Sequence, residues 1–143
     1  MADRCTIRAI LVDEQYLFRE GIEKILEEQD DIKLVGGAST VESALELIEK
    51  HKPDIVITSI RLAGETGLTL LGEINNRYEE MHCIVLSMYK QIPDIVRAFR
   101  AGAVGYLTKE TTGKCVVDAI RAVYSGEFYM DSIISKKVIA GIA

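Results

Sequence analysis

The residues of this chain that could do chemistry stand at the ends of short apolar runs. Asp13 and Glu14 follow the first run, Ser59 follows the third, and Lys109 comes just after the fifth. The acidic pair and the lysine indicate a charged ligand between them. A serine in the same place is neutral, and it needs a general base before it can act as a nucleophile.

The elements that position these residues follow an alternating pattern. Five apolar runs with strand character cover residues 7–12, 32–35, 55–58, 83–86 and 104–107. The segments between them have the apolar spacing of helices that lie on a sheet. Nearly continuous apolar strands, each followed by a helix, predict a parallel sheet covered on both faces. Five strands are too few for a closed eight-stranded barrel.

We therefore predict an α/β fold, a doubly wound five-stranded parallel sheet of order 2-1-3-4-5 with flavodoxin-like topology. In such a sheet the ligand site lies at the carboxyl ends of the first and third strands, where the winding reverses. Those ends carry Asp13, Glu14 and Ser59. The predicted topology thus brings the candidate residues to one site.

The composition excludes several classes of function. The 143 residues fit one domain, and the net charge of −5 has the wrong sign for a domain that holds nucleic acid through its phosphates. No apolar segment approaches the roughly 18 residues of a membrane span, and the N-terminus lacks a signal-peptide core. We expect a cytoplasmic protein. Cys5, Cys83 and Cys115 lack the spacing of a zinc site and are predicted to be packing residues.

Several motifs resemble the receiver domains of two-component response regulators of the NarL/FixJ (LuxR) type. The motifs are IRAILVDEQYLFREGI, ALELIEKHKPDIVI, VLSMY, AFRAGAVGYLTKE and AIRAVYSGEFY. In that family the first strand ends in an acidic pair that helps to hold Mg²⁺, and the third ends in the aspartate that accepts phosphate. The fourth ends in Ser or Thr and the fifth in Lys. The resemblance implies a non-enzymatic module of phosphorelay signalling and transcription regulation.

The resemblance also implies roles for individual residues. Asp13, Glu14 and the backbone carbonyl of Arg61 would hold Mg²⁺. The residues that respond to phosphate would be Ser87, Tyr106 and Lys109.

Three positions depart from the family pattern. Ser59 stands where the family has its phosphate-accepting aspartate, Ala63 stands where a proline is usual, and Glu14 replaces a second aspartate. Ser59 removes an anionic nucleophile and one of the few carboxylates that Mg²⁺ takes from protein. We therefore expect a domain that is not phosphorylated as it stands and that binds Mg²⁺ only weakly, with Lys109 as counter-ion of the acidic pair.

Asp54 is not expected to replace the missing acceptor. It lies five residues before Ser59, which is about 16 Å along an extended strand, and the odd offset turns its side chain to the opposite face. A role in the turn at the start of the third strand fits it better.

We assign residues 1–127 to the receiver-like domain and residues 128–143 to a helical extension. Its helix would be capped by Asp131 or Ser132, and its apolar face would pack on a partner or on a missing segment. The resemblance implies a homodimer, a sensor histidine kinase as partner, and DNA contact only through a C-terminal helix-turn-helix outside this chain. Two alternatives stay open, a phosphate-accepting receiver whose aspartate was substituted, and a stand-alone protein-interaction adaptor.

Overall fold

The computed structural model describes residues 6–142, which form a parallel sheet with helices on both faces. In chain order the elements are β1 (Ile7–Val12), α1 (Tyr16–Glu27), β2 (Ile32–Ala38), α2 (Val41–His51), β3 (Ile55–Thr58), β4 (Arg61–Leu62), β5 (Glu65–Thr66), α3 (Gly67–Arg77), β6 (His82–Ser87), α4 (Ile92–Arg100), β7 (Gly105–Thr108), α5 (Gly113–Tyr124), β8 (Tyr129–Met130) and α6 (Ser132–Ile142).

The order of the main sheet is β2-β1-β3-β6-β7-β8, and all of its neighbouring strands are parallel. The five predicted strands therefore have the predicted order, with β6 and β7 as the fourth and fifth. The predicted number of five is wrong, because β8 adds a sixth strand, with Tyr129 opposite Gly105 and Met130 opposite Tyr106. Two residues are too few to show an alternating pattern in the sequence.

The sheet separates two hydrophobic cores. Helices α1 and α5 cover one face, where Leu26 and Ile120 are fully buried. Helices α2, α3, α4 and α6 cover the other face, where Ile48, Leu71 and Ile134 are at most 1% exposed. Because both faces are covered, the polar ends of the strands remain as the place where a ligand reaches the sheet.

The C-terminal helix α6 forms as predicted, but its apolar face packs on this chain itself. Asp131 caps the helix, since its Oδ1 accepts a hydrogen bond of 2.9 Å from the N–H of Ile134. Ile134 is fully buried and Val138 packs against the same core. Ile139 and Ile142, near the end of the helix, are 67% and 80% exposed. The expectation that this face requires a partner or a missing segment is therefore corrected.

The cysteines within residues 6–142 are free thiols. Cys83 is buried and Cys115 is half-buried, whereas Cys5 lies outside the described residues. Within the same residues, no helix has both the length and the apolar character needed to cross a bilayer.

Candidate functional site

A pocket of about 360 Å³ opens where the strands β1, β3, β6 and β7 end. Most of the predicted site residues line it together: Asp13, Glu14, Ser59, Arg61, Ser87 and Lys109. Tyr106 is not in the lining, because its side chain is fully buried within the fold. Gln15, Met88 and Tyr89 complete the wall, and the sequence had not singled them out.

Asp13 is buried, and each of its carboxylate oxygens has a donor. Lys109 Nζ lies 2.7 Å from Oδ2, and the Gln15 N–H donates to Oδ1 at 2.8 Å. The side chain of Gln15 also accepts a hydrogen bond from Lys109 Nζ, and the ring of Phe18 lies 4.3 Å from that nitrogen. The Asp13 and Lys109 side chains are only 2% and 9% exposed, so water screens their attraction weakly.

Ser59 follows β3 directly and is nearly buried. Its N–H donates to the carbonyl of Val12 at 3.0 Å, which extends the pairing of β1 and β3 by one residue. Its hydroxyl donates to the backbone carbonyl of Arg61 at 2.8 Å. That carbonyl is the one predicted to bind Mg²⁺, so the serine hydroxyl already engages it.

The start of α3 approaches Ser59 so closely that only glycine fits there. A Cβ on Gly67 would lie 2.0 Å from the carbonyl oxygen of Ser59. The N–H of Gly67 donates to the carbonyl of Ile60 at 2.6 Å, which closes the segment between β3 and α3. Gly67 therefore fixes the helix against the strand end that carries Ser59.

The segment between Ser59 and α3 forms a short antiparallel hairpin of β4 and β5. Gly64 turns it with a φ of 71°, a conformation that favours glycine. Glu65 Oε2 accepts a hydrogen bond of 3.1 Å from the N–H of Val41 at the start of α2. This bond anchors the hairpin to α2. Ala63, unlike the proline usual at this position, does not restrict the backbone of the hairpin.

Tyr89 joins the two predicted switch residues through its backbone. The hydroxyl of Ser87 accepts a hydrogen bond of 3.0 Å from the Tyr89 N–H, and the hydroxyl of Tyr106 donates to the Tyr89 carbonyl at 2.6 Å. Burial raises the pKa of the Tyr106 phenol well above its ordinary value, and the negative charge of Asp94 adds to the rise. The Tyr106 side chain thus lies inside the protein in its neutral form.

The candidate oxygen ligands for a cation are few, and two of the three, Asp13 and the Arg61 carbonyl, are already engaged. Glu14 is exposed and lines both this pocket and a neighbouring one beside the β4–β5 hairpin. Asp13 and the Arg61 carbonyl both accept hydrogen bonds from the protein. Over residues 6–142 no group of three or more His, Cys, Asp and Glu side chains is placed to hold a metal ion. A cation here would compete with Lys109 for Asp13.

Asp54 lies at the opposite end of the sheet. Its Oδ2 accepts a hydrogen bond of 2.9 Å from the N–H of Arg8, and its own N–H donates to the carbonyl of Arg8 at 2.8 Å. Asp54 lies just before β3 as predicted, and its bonds connect that strand end to β1. Asp54 takes no part in the pocket that contains Ser59.

The sequence matches the response regulator receiver domain over residues 9–121. Response regulator UvrY of Escherichia coli K12 is 36% identical over 132 residues, which cover 92% of this chain and 61% of UvrY. Transcriptional regulatory protein DegU of Brevibacillus brevis is 28% identical over 133 residues, covering 93% of this chain and 56% of DegU. The chain therefore spans about three fifths of the length of these relatives or slightly less.

Solved structures agree with this assignment. A two-component response regulator of the LuxR family from Aurantimonas sp. SI85-9A1 superposes with a TM-score of 0.91 at 28% identity, over 96% of this chain and 98% of that one. The receiver domain of the response regulator NarL from Mycobacterium tuberculosis, also 28% identical, gives a TM-score of 0.81 over 86% and 99% of the two chains. Because the receiver-domain match covers most of this chain and UvrY is 36% identical to it, this chain belongs to the response regulator receiver domains of two-component signalling, of the LuxR/NarL type.

Proposed function

We propose that this receiver domain is a signal-input module that takes no phosphoryl group in its present form. The observation that carries the proposal is the state of Ser59, whose hydroxyl is nearly buried and donates to the Arg61 carbonyl. The proposal equates Ser59 with the phosphate-accepting aspartate of the family. Receiver domains are in general signalling modules and not enzymes, and the proposal keeps that role.

The surroundings of Ser59 do not favour attack on phosphorus. A serine nucleophile needs a base that takes its proton, and the pocket lining contains no histidine. The carboxylate of Asp13 is committed to Lys109 and to Gln15. The pocket lining therefore offers Ser59 no free base that could take its proton.

The Asp13–Lys109 pair is the reason to expect that a metal ion binds only weakly here. Receiver domains generally bind Mg²⁺ at their acidic site, and here the donors would be Asp13, Glu14 and the Arg61 carbonyl. Mg²⁺ binds through one or two carboxylates and keeps several waters, so this set suffices only for a weakly held ion. When bound, Mg²⁺ would neutralise charge next to the strand ends, whereas Lys109 already supplies a positive charge there.

The buried Tyr106 supports a signalling state that does not depend on phosphate. In the family, phosphoryl charge draws the Ser or Thr and the aromatic residue inward and so biases the face formed by α4, β7 and α5. In this chain the Tyr106 hydroxyl already bonds to the Tyr89 carbonyl. We infer that internal contacts, dimerisation or a bound partner set the balance at that face.

The proposal extends to the protein as a whole. Relatives such as UvrY are longer than this chain, and residues 1–127 would be the receiver, with 128–143 leading toward a DNA-binding helix-turn-helix. The response regulator RcsB, which shares the fold at 20% identity, has been solved in complex with DNA. We propose a cytoplasmic homodimer that regulates transcription and that responds to a sensor histidine kinase only if an acceptor is restored.

A phosphodonor experiment tests the proposal. The chain and its Ser59→Asp and Ser59→Asn variants are incubated with acetyl phosphate and Mg²⁺, and phosphoryl adducts are detected by intact-protein mass spectrometry. We expect an adduct on Ser59→Asp, whose carboxylate attacks phosphorus and releases acetate. The unaltered chain and Ser59→Asn, which has the shape but not the charge of aspartate, stay unmodified.

Three outcomes bear on the proposal and its alternatives. A metal-dependent adduct on the unaltered chain that is lost in Ser59→Ala would overturn the proposal. If only the Ser59→Asp variant is labelled, and labelling also changes the spectra of Ser87 and Tyr106, the result would favour a phosphate-accepting receiver whose aspartate was substituted. Failure to label Ser59→Asp would instead favour a domain adapted to phosphate-free interaction with partners.

A further inference from the structure

A buried carboxylate, that of Asp131, bonds to a strand of the sheet and to α6 at the same time. Its Oδ2 accepts hydrogen bonds from the N–H of Thr108 at 2.7 Å and from the Thr108 hydroxyl at 3.1 Å. Its Oδ1 accepts from the N–H of Ile134 at 2.9 Å. Asp131 is only 4% exposed, so water does not replace these bonds.

Thr108 brings this carboxylate to within one residue of the pocket. It is the last residue of β7, and Lys109 follows it directly. The N–H of Lys109 donates to the carbonyl of Ser87 at 3.0 Å, so its backbone is fixed to the end of β6. Any movement of this backbone would therefore also move the N–H and the hydroxyl of Thr108 that donate to Asp131.

On its other side, Asp131 controls how α6 begins. It is the N-cap of the helix, and the apolar residues Ile134 and Val138 hold the helix against the core next to α4. A Cβ on Gly141 would lie 3.3 Å from Ile92 of α4, so the far end of α6 also approaches that helix closely. The orientation of α6 thus depends on the residue that also binds β7.

We propose that Asp131 is a positioning residue that couples the pocket at Lys109 to the docking of α6. When the Asp13–Lys109 pair is intact, Thr108 and the cap of α6 share one carboxylate, and α6 stays docked. When the pair is broken, the Thr108–Asp131 bonds weaken and α6 opens more often. The idea rests on the proposed function only in taking this pocket as the input site, since the coupling needs no phosphoryl group.

Hydrogen exchange of the α6 amides measures this coupling in the full 143-residue chain. Exchange is compared in the unaltered chain and in Lys109→Met, and it is expressed relative to the amides of α2, which removes the contribution of global unfolding. We expect Lys109→Met to speed the relative exchange of α6 by about tenfold.

Asp131→Ser separates the two roles of the carboxylate. Serine is a good N-cap, but it is too short to reach both Ile134 and Thr108, so it retains the cap and removes the link. In this background we expect Lys109→Met to change the relative exchange of α6 by less than about twofold. Thr40→Ala, which removes the side-chain cap of α2, provides a matched control that leaves the effect of Lys109→Met unchanged, with exchange referred to α3.

Thr108→Val provides a second route if Asp131→Ser does not fold. It deletes the hydroxyl donor to Asp131 and leaves the cap intact, and it should lower the effect of Lys109→Met on α6 to an intermediate value. The proposal fails if Lys109→Met leaves the relative exchange of α6 unchanged, or if its effect is equally large without Asp131. Phosphorylation of Ser59 would contradict the proposed function while leaving this coupling measurable.

Discussion

Lys109 Nζ lies 2.7 Å from Asp13 Oδ2, and the two side chains are 9% and 2% exposed. The pair spans the sheet from the end of β1 to the residue after β7. A buried ion pair of this kind adds little net stability over an apolar pair, but it becomes costly when one partner is removed. Lys109 therefore acts as an internal cation that balances the buried negative charge of Asp13.

The first prediction concerns Lys109→Met, which keeps most of the side-chain length and removes the charge. We expect the free energy of unfolding to fall by about 3 kcal/mol, because Asp13 is left buried without a counter-ion. Urea unfolding measures the loss. Lys114→Met removes an exposed pair with Asp118 and should change stability by less than about 0.5 kcal/mol. Equal losses in the two variants would show that the Asp13–Lys109 pair is screened as surface pairs are.

The second prediction concerns the affinity for Mg²⁺. Ser59→Asp adds a third carboxylate and releases the Arg61 carbonyl from the serine hydroxyl. We expect Mg²⁺ to bind at least about tenfold more tightly, since the added charge lies directly beside the cation. Calorimetric titration measures the change, and Ser59→Asn is the uncharged control. A similar gain in Ser59→Asn would assign the effect to shape and not to charge.

The sequence could predict the parts of this fold that repeat a pattern. Apolar runs separated by helices predicted five strands and their order, and the rule for strand ends brought Asp13, Glu14 and Ser59 to one site. The resemblance to receiver domains added Lys109, which lines the same pocket. The apolar pattern did not predict β8, which has two residues, or the β4–β5 hairpin, whose residues show no alternation.

The contacts that the sequence could not predict are made by backbone groups or join distant residues. Tyr89 matters through its N–H and carbonyl, and these groups are the same in every residue except proline. The sequence predicted a helix cap at Asp131 or Ser132, and the structure shows Asp131 as the cap. Its bond to Thr108 spans 23 residues and depends on the tertiary fold.

The third prediction compares two glycines of α3. Gly67→Ala should destabilise the protein by more than about 2 kcal/mol, because the new Cβ would meet the Ser59 carbonyl oxygen at 2.0 Å and the backbone must shift. Gly72→Ala meets nothing within 4 Å and should stabilise the same helix by about 0.5–1 kcal/mol. Thermal and urea unfolding measure both changes. A tolerated Gly67→Ala would mean that α3 starts farther from Ser59.

The fourth prediction concerns alkaline pH. Burial raises the pKa of the Cys83 thiol to about 12, from an ordinary value of 9.0. Above pH 9 the unfolded chain releases this proton and the folded chain retains it, so stability is full below that pH and falls as pH rises toward the folded pKa. Between pH 9 and 10 the slope due to Cys83 should approach about 1.4 kcal/mol per pH unit.

Cys83→Ala tests this slope directly. The variant is less stable overall because it leaves a small cavity, but its stability should fall less steeply with pH than that of the unaltered chain. Cys115→Ala is the control, because Cys115 is half-buried and hydrogen bonds from Thr111 and Thr112 lower its thiol pKa. Identical slopes in the unaltered chain and in Cys83→Ala would mean that the buried thiol ionises as readily as an exposed one.

The last prediction concerns the hydroxyl of Tyr106. Tyr106→Phe keeps the buried ring and deletes the donor to the Tyr89 carbonyl, and we expect a loss of about 1 kcal/mol together with faster exchange of the Tyr89 amide. Tyr78→Phe, which removes a surface bond to Glu49, should leave the exchange of Tyr89 unchanged. If Tyr106→Phe leaves Tyr89 equally protected, the hydroxyl does not fix the loop after β6. The inward position of the ring would then depend on packing in the core, which includes Phe99.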